Sequence, residues 1–196
     1  MLLEQLKNYR IILASGSPRR QQLLKELGLN FEARVPDVDE VYPEGLKHSE
    51  IAVYLSQLKA NSFDAEDLCG NCLVIAADTI VWMDGKVLPK PKDAEEASSI
   101  LNQLSGKVHG VITGVTLRNS SSSSSFFSKT RVYFKELTGE EIRYYIDVYK
   151  PFDKAGAYGI QEWIGYIGIE KIEGSYYNVM GLPVQMLYQK ILEFIR

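Results

Sequence analysis

The 196-residue chain reads as a mixed α/β protein, a twisted sheet flanked by helices. Three observations lead there. Two apolar, β-branched runs, residues 10–15 and 72–83, have the composition of buried strands. Stripes of helical period, such as Leu23, Leu24 and Leu27, stand between such runs. The connections are of two kinds, a tight Asp84-Gly85 hairpin signal and longer segments that contain a helix, which mixes antiparallel with crossover pairing.

Taken in order, residues 10–15 form a short apolar strand ended by Gly16. Ser17 is placed to cap the next helix, Pro18 suits its first turn, and Gly28 ends it. Residues 31–35 are a second strand. Residues 49–62 carry Ile51, Ala52, Leu55, Leu58 and Ala60 at helical spacing, with Ser49 as cap. Residues 72–83 form a central strand that turns at Asp84-Gly85 into residues 86–88. Asp93 caps a helix running to about Leu104. Residues 107–118 and 130–137 alternate and pair as antiparallel neighbours. The serines at 120–125 between them have no means of burying apolar surface and read as a mobile hairpin tip. Thr138 and Glu141 make a capping box. Residues 163–172 read as a strand, and Pro183 opens a final amphipathic helix.

Composition bounds the function. Hydrophobic residues are 45% and charged residues 24%, as in ordinary globular proteins. The net charge of −3 argues against a polynucleotide partner in the absence of a local basic patch. No run of ~18 apolar residues and no secretory leader is visible, so the expected location is cytoplasmic, with no membrane partner. Cys69 and Cys72 form one C-x-x-C pair, a poor zinc site without further ligands; two reduced thiols are the plain alternative to a redox role.

The first candidate for chemistry is Ser15-Gly16-Ser17-Pro18-Arg19-Arg20. A helix start offers unpaired N–H groups and partial positive charge, and a turn of small residues lets an anion approach. Arg19 and Arg20 add guanidinium forks suited to phosphate oxygens. The alternative is an ordinary capped helix bearing two solvated arginines. Asp78 lies inside a strongly apolar strand, where a carboxylate needs a partner, a metal or a function, unless it sits at an exposed sheet edge. Lys90 is held between Pro89 and Pro91, although a solvated turn lysine is commoner. Glu40 and Lys59 are unremarkable alone. The stretch from Asp153 to Gln161 combines Asp, Lys and Gln with glycines, as ligand-contacting loops do. Carboxylates beside several cations suit metal-assisted phosphoanhydride hydrolysis. His48 and His109 lack the context of a Ser-His-Asp hydrolase.

These segments, with Ala77-Asp78-Thr79, Lys90-Pro91, Leu104-Ser105-Gly106, Gly174-Ser175-Tyr176 and Gly181-Leu182-Pro183, occur in an order that resembles the Maf family of nucleoside triphosphate pyrophosphatases. The resemblance covers nearly the whole chain as one domain, residues 1–196. It implies an elongated mixed sheet in two lobes around a central cleft, related to inosine triphosphate pyrophosphatases. It implies cleavage of a nucleoside triphosphate to the monophosphate and pyrophosphate, with a divalent cation, Mg²⁺ or Mn²⁺. By position, Asp78 matches the water-activating base. Ser15, Arg20, Glu40, Lys59 and Lys90 match the residues that handle phosphate and metal, with Glu40 and Asp78 as metal ligands. Arg19, Thr79 and Gln161 match positions tied to base choice, and their identities are similar to the dTTP/UTP subfamily; a glutamine amide can match the edge of uracil or thymine. The alternatives are the 7-methyl-GTP subfamily and a non-enzymatic inhibitor of septum formation. A homodimer is expected. Glu162 departs from the family pattern, in which glycine is common after the glutamine.

Overall fold

The computed structural model describes residues 1–196. The elements are α1 (Leu2–Gln5), β1 (Arg10–Ala14), α2 (Pro18–Glu26), β2 (Glu32–Ala33), α3 (Ser49–Asn61), β3 (Cys72–Met83), β4 (Lys86–Leu88), α4 (Ala94–Leu104), β5 (Val108–Arg118) and β6 (Ser123–Phe134). After these come α5 (Gly139–Tyr149), 3-10 turns at Pro151–Asp153 and Ala155–Ala157, α6 (Trp163–Gly168), β7 (Ile169–Glu173), α7 (Tyr176–Met180) and α8 (Val184–Phe194). The strands form one mixed sheet in the order β2-β1-β3-β5-β6-β7, with β4 paired to β3. β1 is parallel to β2 and β3, whereas β3/β4 and β6/β7 are antiparallel. The expected α/β class and mixed sheet are therefore present. No helix is long and apolar enough to cross a membrane.

The chain divides into two compact units. The first comprises residues 1–78, 113–128 and 181–196, and the second residues 79–112 and 129–180.

In the first unit, β1 and β3 pair from Arg10↔Cys72 to Ala14↔Ala76. Side chains of a strand alternate between faces, so Cys72, Val74 and Ala76 share one face with Ile12 and Ala14. That face packs with Ala60, Phe63 and Leu68 in a buried cluster, which places α3 on it. The register of α3 is fixed by alternate residues of β5. A Cβ at Gly114 would lie 2.3 Å from the Ala52 carbonyl, so only glycine lets the helix approach this closely. One helical turn on, Ser56 Oγ and Thr116 Oγ1 are 2.8 Å apart. A further turn on, Arg118 Nη1 donates to the carbonyls of Ala60 and Phe63 at 2.8 Å each, capping the negative end of the helix. α2 ends as expected at Gly28, whose φ of 77° allows a Schellman closure, with Gly28 N donating to Lys25 O and Leu29 N to Leu24 O.

In the second unit, Asp84 and Gly85, at φ 50° and 81°, make the expected tight hairpin. Asp93 caps α4 by accepting from Glu96 N, and the Thr138/Glu141 capping box starts α5. His109 is buried, with Nε2 2.7 Å from the Tyr158 hydroxyl and its ring against Phe134 and Tyr158. Its Nδ1 is buried without a hydrogen-bond partner, and burial pushes its pKa down to about 4. Because this value lies below that of an unfolded histidine, the stabilisation is complete above about pH 6.5 and is lost as pH falls toward 4. Unfolding free energy from urea titrations should drop by about 2 kcal/mol between pH 7.5 and 5 through this group. His109→Gln should flatten that dependence; an equally steep one would show that other groups cause it.

Five readings need correction. Ser17 occupies the cap position of α2, but its side chain makes no cap bond; instead its N–H donates to Ser15 Oγ. Ser49 lies inside α3, and the cap position belongs to His48 at φ 47°. The second strand shrinks from residues 31–35 to two residues, because only Ile12 and Leu13 face it. Residues 163–172 divide into a helix and a short strand: α6 turns tightly enough that a Cβ at Gly165 would lie 1.8 Å from Ile160 O. Six residues are too few for a helical period to outweigh β-branched and aromatic composition. The serine run is only half a tip. Asn119 Oδ1 accepts from the N–H groups of Ser121 and Ser122 to make the turn, and β6 begins at Ser123, with Ser125 Oγ 3.0 Å from Thr116 Oγ1.

Candidate active site

Asp78 follows from the strand pattern. β1 stops opposite Ala76, so Asp78 stands two residues beyond the last β1 pair, on the face that carries α3. On that helix, Lys59 precedes the packed Ala60, and its ammonium reaches the strand. Lys59 Nζ donates to Asp78 Oδ1 at 2.5 Å and lies 2.8 Å from Glu40 Oε1. The Lys59 and Asp78 side chains are each about 9% exposed, so this charge pair is shielded from water, whereas Glu40 is 45% exposed. Burying the two charges separately would cost several kcal/mol each, about what their contact must offset. Glu40 belongs to the irregular segment before α3 and meets Lys59 from the solvent side.

Ser15 is the first residue past β1, at the carboxyl end of parallel strands, where open α/β sheets place ligands. It is buried, and its Oγ accepts from Ser17 N and from Arg20 Nη1, both at 3.2 Å. Arg20 Nε donates to Gly181 O at 2.8 Å. Two in-plane hydrogen bonds, from Nε and from Nη1, fix the orientation of the guanidinium. Burial pushes the Arg20 pKa down, partly opposed by the Asp78 carboxylate, and a guanidinium stays charged at neutral pH. Arg19, half-buried on the first turn of α2, adds a second positive charge next to it. The first unit therefore gathers Ser15, Arg19, Arg20, Glu40, Lys59 and Asp78.

Thr79, Lys90 and Gln161 belong to the second unit. Lys90 is exposed, and its prolines are anchored: Gly156 N donates to Pro89 O at 3.1 Å, tying the Lys90 segment to the loop that leads to Gln161. Gly156, at φ 70°, lies so close to Val81 that a Cβ would come within 2.8 Å of it. Gln161 Oε1 is buried with no hydrogen-bond partner.

No group of three or more His, Cys, Asp or Glu is placed to hold a metal. Glu40 and Asp78 nevertheless converge on one positive centre, the Lys59 ammonium. Two hard carboxylates suit Mg²⁺ or Mn²⁺, which complete their coordination with water and substrate phosphate. Cys69 is exposed and Cys72 buried, both as free thiols. Two contributors are named in the sequence without a role of their own. The Gly181 carbonyl carries no side-chain signal at all. Glu162, noted only as a departure, holds the loop that precedes it.

Known proteins match this chain over nearly its whole length. Residues 10–194 match the family described as Maf-like protein. The chain is 50% identical over 195 residues, covering 100% of each chain to the nearest per cent, to a dTTP/UTP pyrophosphatase of Flavobacterium johnsoniae. It is 52% identical over 191 residues to one of Phocaeicola vulgatus, covering 97% of this chain and 98% of the relative. It is 47% identical over 195 residues to one of Porphyromonas gingivalis, covering 98% of each. With the family pattern matched from β1 to the last helix, the chain belongs to the Maf family.

Proposed function

We propose that this protein hydrolyses dTTP and UTP to the nucleoside monophosphate and pyrophosphate. The observation that carries the reading is the buried Lys59–Asp78 pair, with Glu40 on one side and the Ser15-fixed Arg20 in the same unit. It is supported by full-length relatives named dTTP/UTP pyrophosphatase.

In this mechanism Asp78 is the general base. Lys59 engages Oδ1 and fixes the carboxylate plane, which assigns Oδ2 to the attacking water. Water attacks the α phosphorus, its proton passes to Asp78, and the α–β anhydride bond breaks. The leaving pyrophosphate takes its negative charge to Arg20 and Lys59 of the first unit. Ser15 and the N–H groups at the start of α2 bind phosphate oxygens. Glu40 and Asp78 would hold a divalent cation, which when bound offsets phosphate charge. Thr79 and Gln161 of the second unit select the base.

A panel of dTTP, UTP, dCTP, dGTP and 7-methyl-GTP, assayed for pyrophosphate release with Mg²⁺ and with Mn²⁺, tests the reading. dTTP and UTP should be turned over at least about tenfold more efficiently than the others. Preference for 7-methyl-GTP would move the chain to the sister specificity, and no release from any nucleotide would end the enzymatic reading.

A further inference from the structure

Gln161 sits third in a tight turn that begins at Gly159 and closes at Glu162, where Glu162 N donates to Gly159 O at 3.0 Å. Both ends of this turn are held by one hydroxyl. Gly159 N donates to Tyr145 Oη at 3.0 Å, and the same phenol donates to Glu162 Oε2. The other carboxylate oxygen, Oε1, lies 3.1 Å from the buried ammonium of Lys154, which in turn donates to Asp153 Oδ1 at 2.7 Å. Tyr145 is fully buried and stacks on Tyr149, so the hydroxyl cannot drift. The fit is tight: a Cβ at Gly159 would come within 2.9 Å of the Glu162 carboxyl. Past the turn, Gly165 N donates to Glu162 O, so α6 is built on the same residue.

A two-residue turn on a surface has many conformations. This one is pinned at its first N–H, at its last side chain and at its last carbonyl. Between the pins it leaves Gln161 with Oε1 buried and without a protein donor. An acceptor so held is costly unless a ligand supplies a donor, such as the N3–H of uracil or thymine.

We infer that Tyr145, Glu162 and Lys154 form a clamp that sets the position of Gln161, and that Tyr145 and Glu162 are thereby specificity-positioning residues for pyrimidine nucleotides. This rests on the proposed pyrimidine triphosphate activity. Tyr145, Lys154 and Glu162 lie in the second unit with Gln161, whereas Asp78, the proposed base, lies in the first, so loss of the clamp is expected to act on base choice more than on chemistry.

The experiment measures kcat and KM for dTTP and for 7-methyl-GTP in the wild type, Tyr145→Phe, Glu162→Gln, Gln161→Ala and the Tyr145→Phe/Gln161→Ala double variant. Tyr145→Phe should lower the dTTP to 7-methyl-GTP ratio of kcat/KM by about ten- to a hundredfold, through KM for dTTP. Glu162→Gln keeps an acceptor for the phenol but turns an amide NH2 toward the Lys154 ammonium, so it should lose part of the ratio, less than Tyr145→Phe does. In the Gln161→Ala background, Tyr145→Phe should change the ratio no further, because the group it positions is gone. A ratio unchanged in Tyr145→Phe, or an equal added loss in the double variant, overturns the clamp. If Tyr145→Phe does not fold, Glu162→Ala takes its place with the same expected loss of ratio. A wild type that releases no pyrophosphate from dTTP refutes the activity itself, an outcome distinct from failure of the clamp.

Discussion

Asp78→Asn is expected to lower kcat for dTTP by about 10²–10⁴, the range for losing a general base. The substitution is nearly isosteric. Its amide oxygen can still accept from Lys59, and Lys59 keeps Glu40 at 2.8 Å, so the buried ammonium is not stranded. What disappears is the capacity to take a proton from water. KM for dTTP should change far less than kcat, because Ser15, Arg20 and the start of α2 still bind the triphosphate. Single-turnover pyrophosphate release, with circular dichroism as the check on folding, separates the two effects. Wild-type turnover in this variant would remove Asp78 from the role of base.

Lys59→Met is expected to damage stability and activity together. The side chain is of similar length and fits an apolar helix face, but it leaves Asp78 as a buried carboxylate without its closest counter-charge. Breaking a buried pair from one side costs about 3–5 kcal/mol. The contact with half-exposed Glu40 adds little, since water screens that carboxylate. Loss of one cation from the pyrophosphate side should reduce kcat by a further 10²–10³ or so. The variant also tests the metal assignment without any reaction. If Glu40 and Asp78 are ligands, millimolar Mg²⁺ should raise the Tm of Lys59→Met more than that of the wild type, because the cation then replaces the missing positive charge. Equal shifts in both proteins would argue that the two carboxylates are held for Lys59 alone.

The parts of the site that the sequence made legible are those set by local pattern. A carboxylate within an apolar β-branched run singled out Asp78, and a small-residue turn before Pro18 marked the start of α2. What it could not supply was the meeting of Lys59 with Asp78. That contact depends on α3 lying against β5 at one register, which Gly114, Thr116 and Arg118 set through Ala52, Ser56 and Ala60. Glycine, threonine and arginine on a strand announce nothing of the kind. The same limit hid the clamp. Tyr145 shares the buried face of α5 with Ile142 and Ile146, and only the folded chain shows that its hydroxyl joins Gly159 to Glu162. α6 departs from the expected strand because its shape comes from the close approach of Gly165 to the Ile160 carbonyl, a backbone contact that composition favouring strand does not reveal.

The serine run has a consequence for how its coding tract can change length. Ser120, Ser121 and Ser122 belong to the turn, and a residue gained or lost there is absorbed as in any exposed hairpin tip. Ser123, Ser124 and Ser125 belong to the strand. One residue more or fewer within it turns Ser128, Thr130 and Val132 from the buried face to the outer one, unless the turn takes up the slip. Six identical letters thus contain a tolerant half and an intolerant half. The boundary is drawn by Asn119, whose side chain fixes where the turn ends and the counting of faces begins.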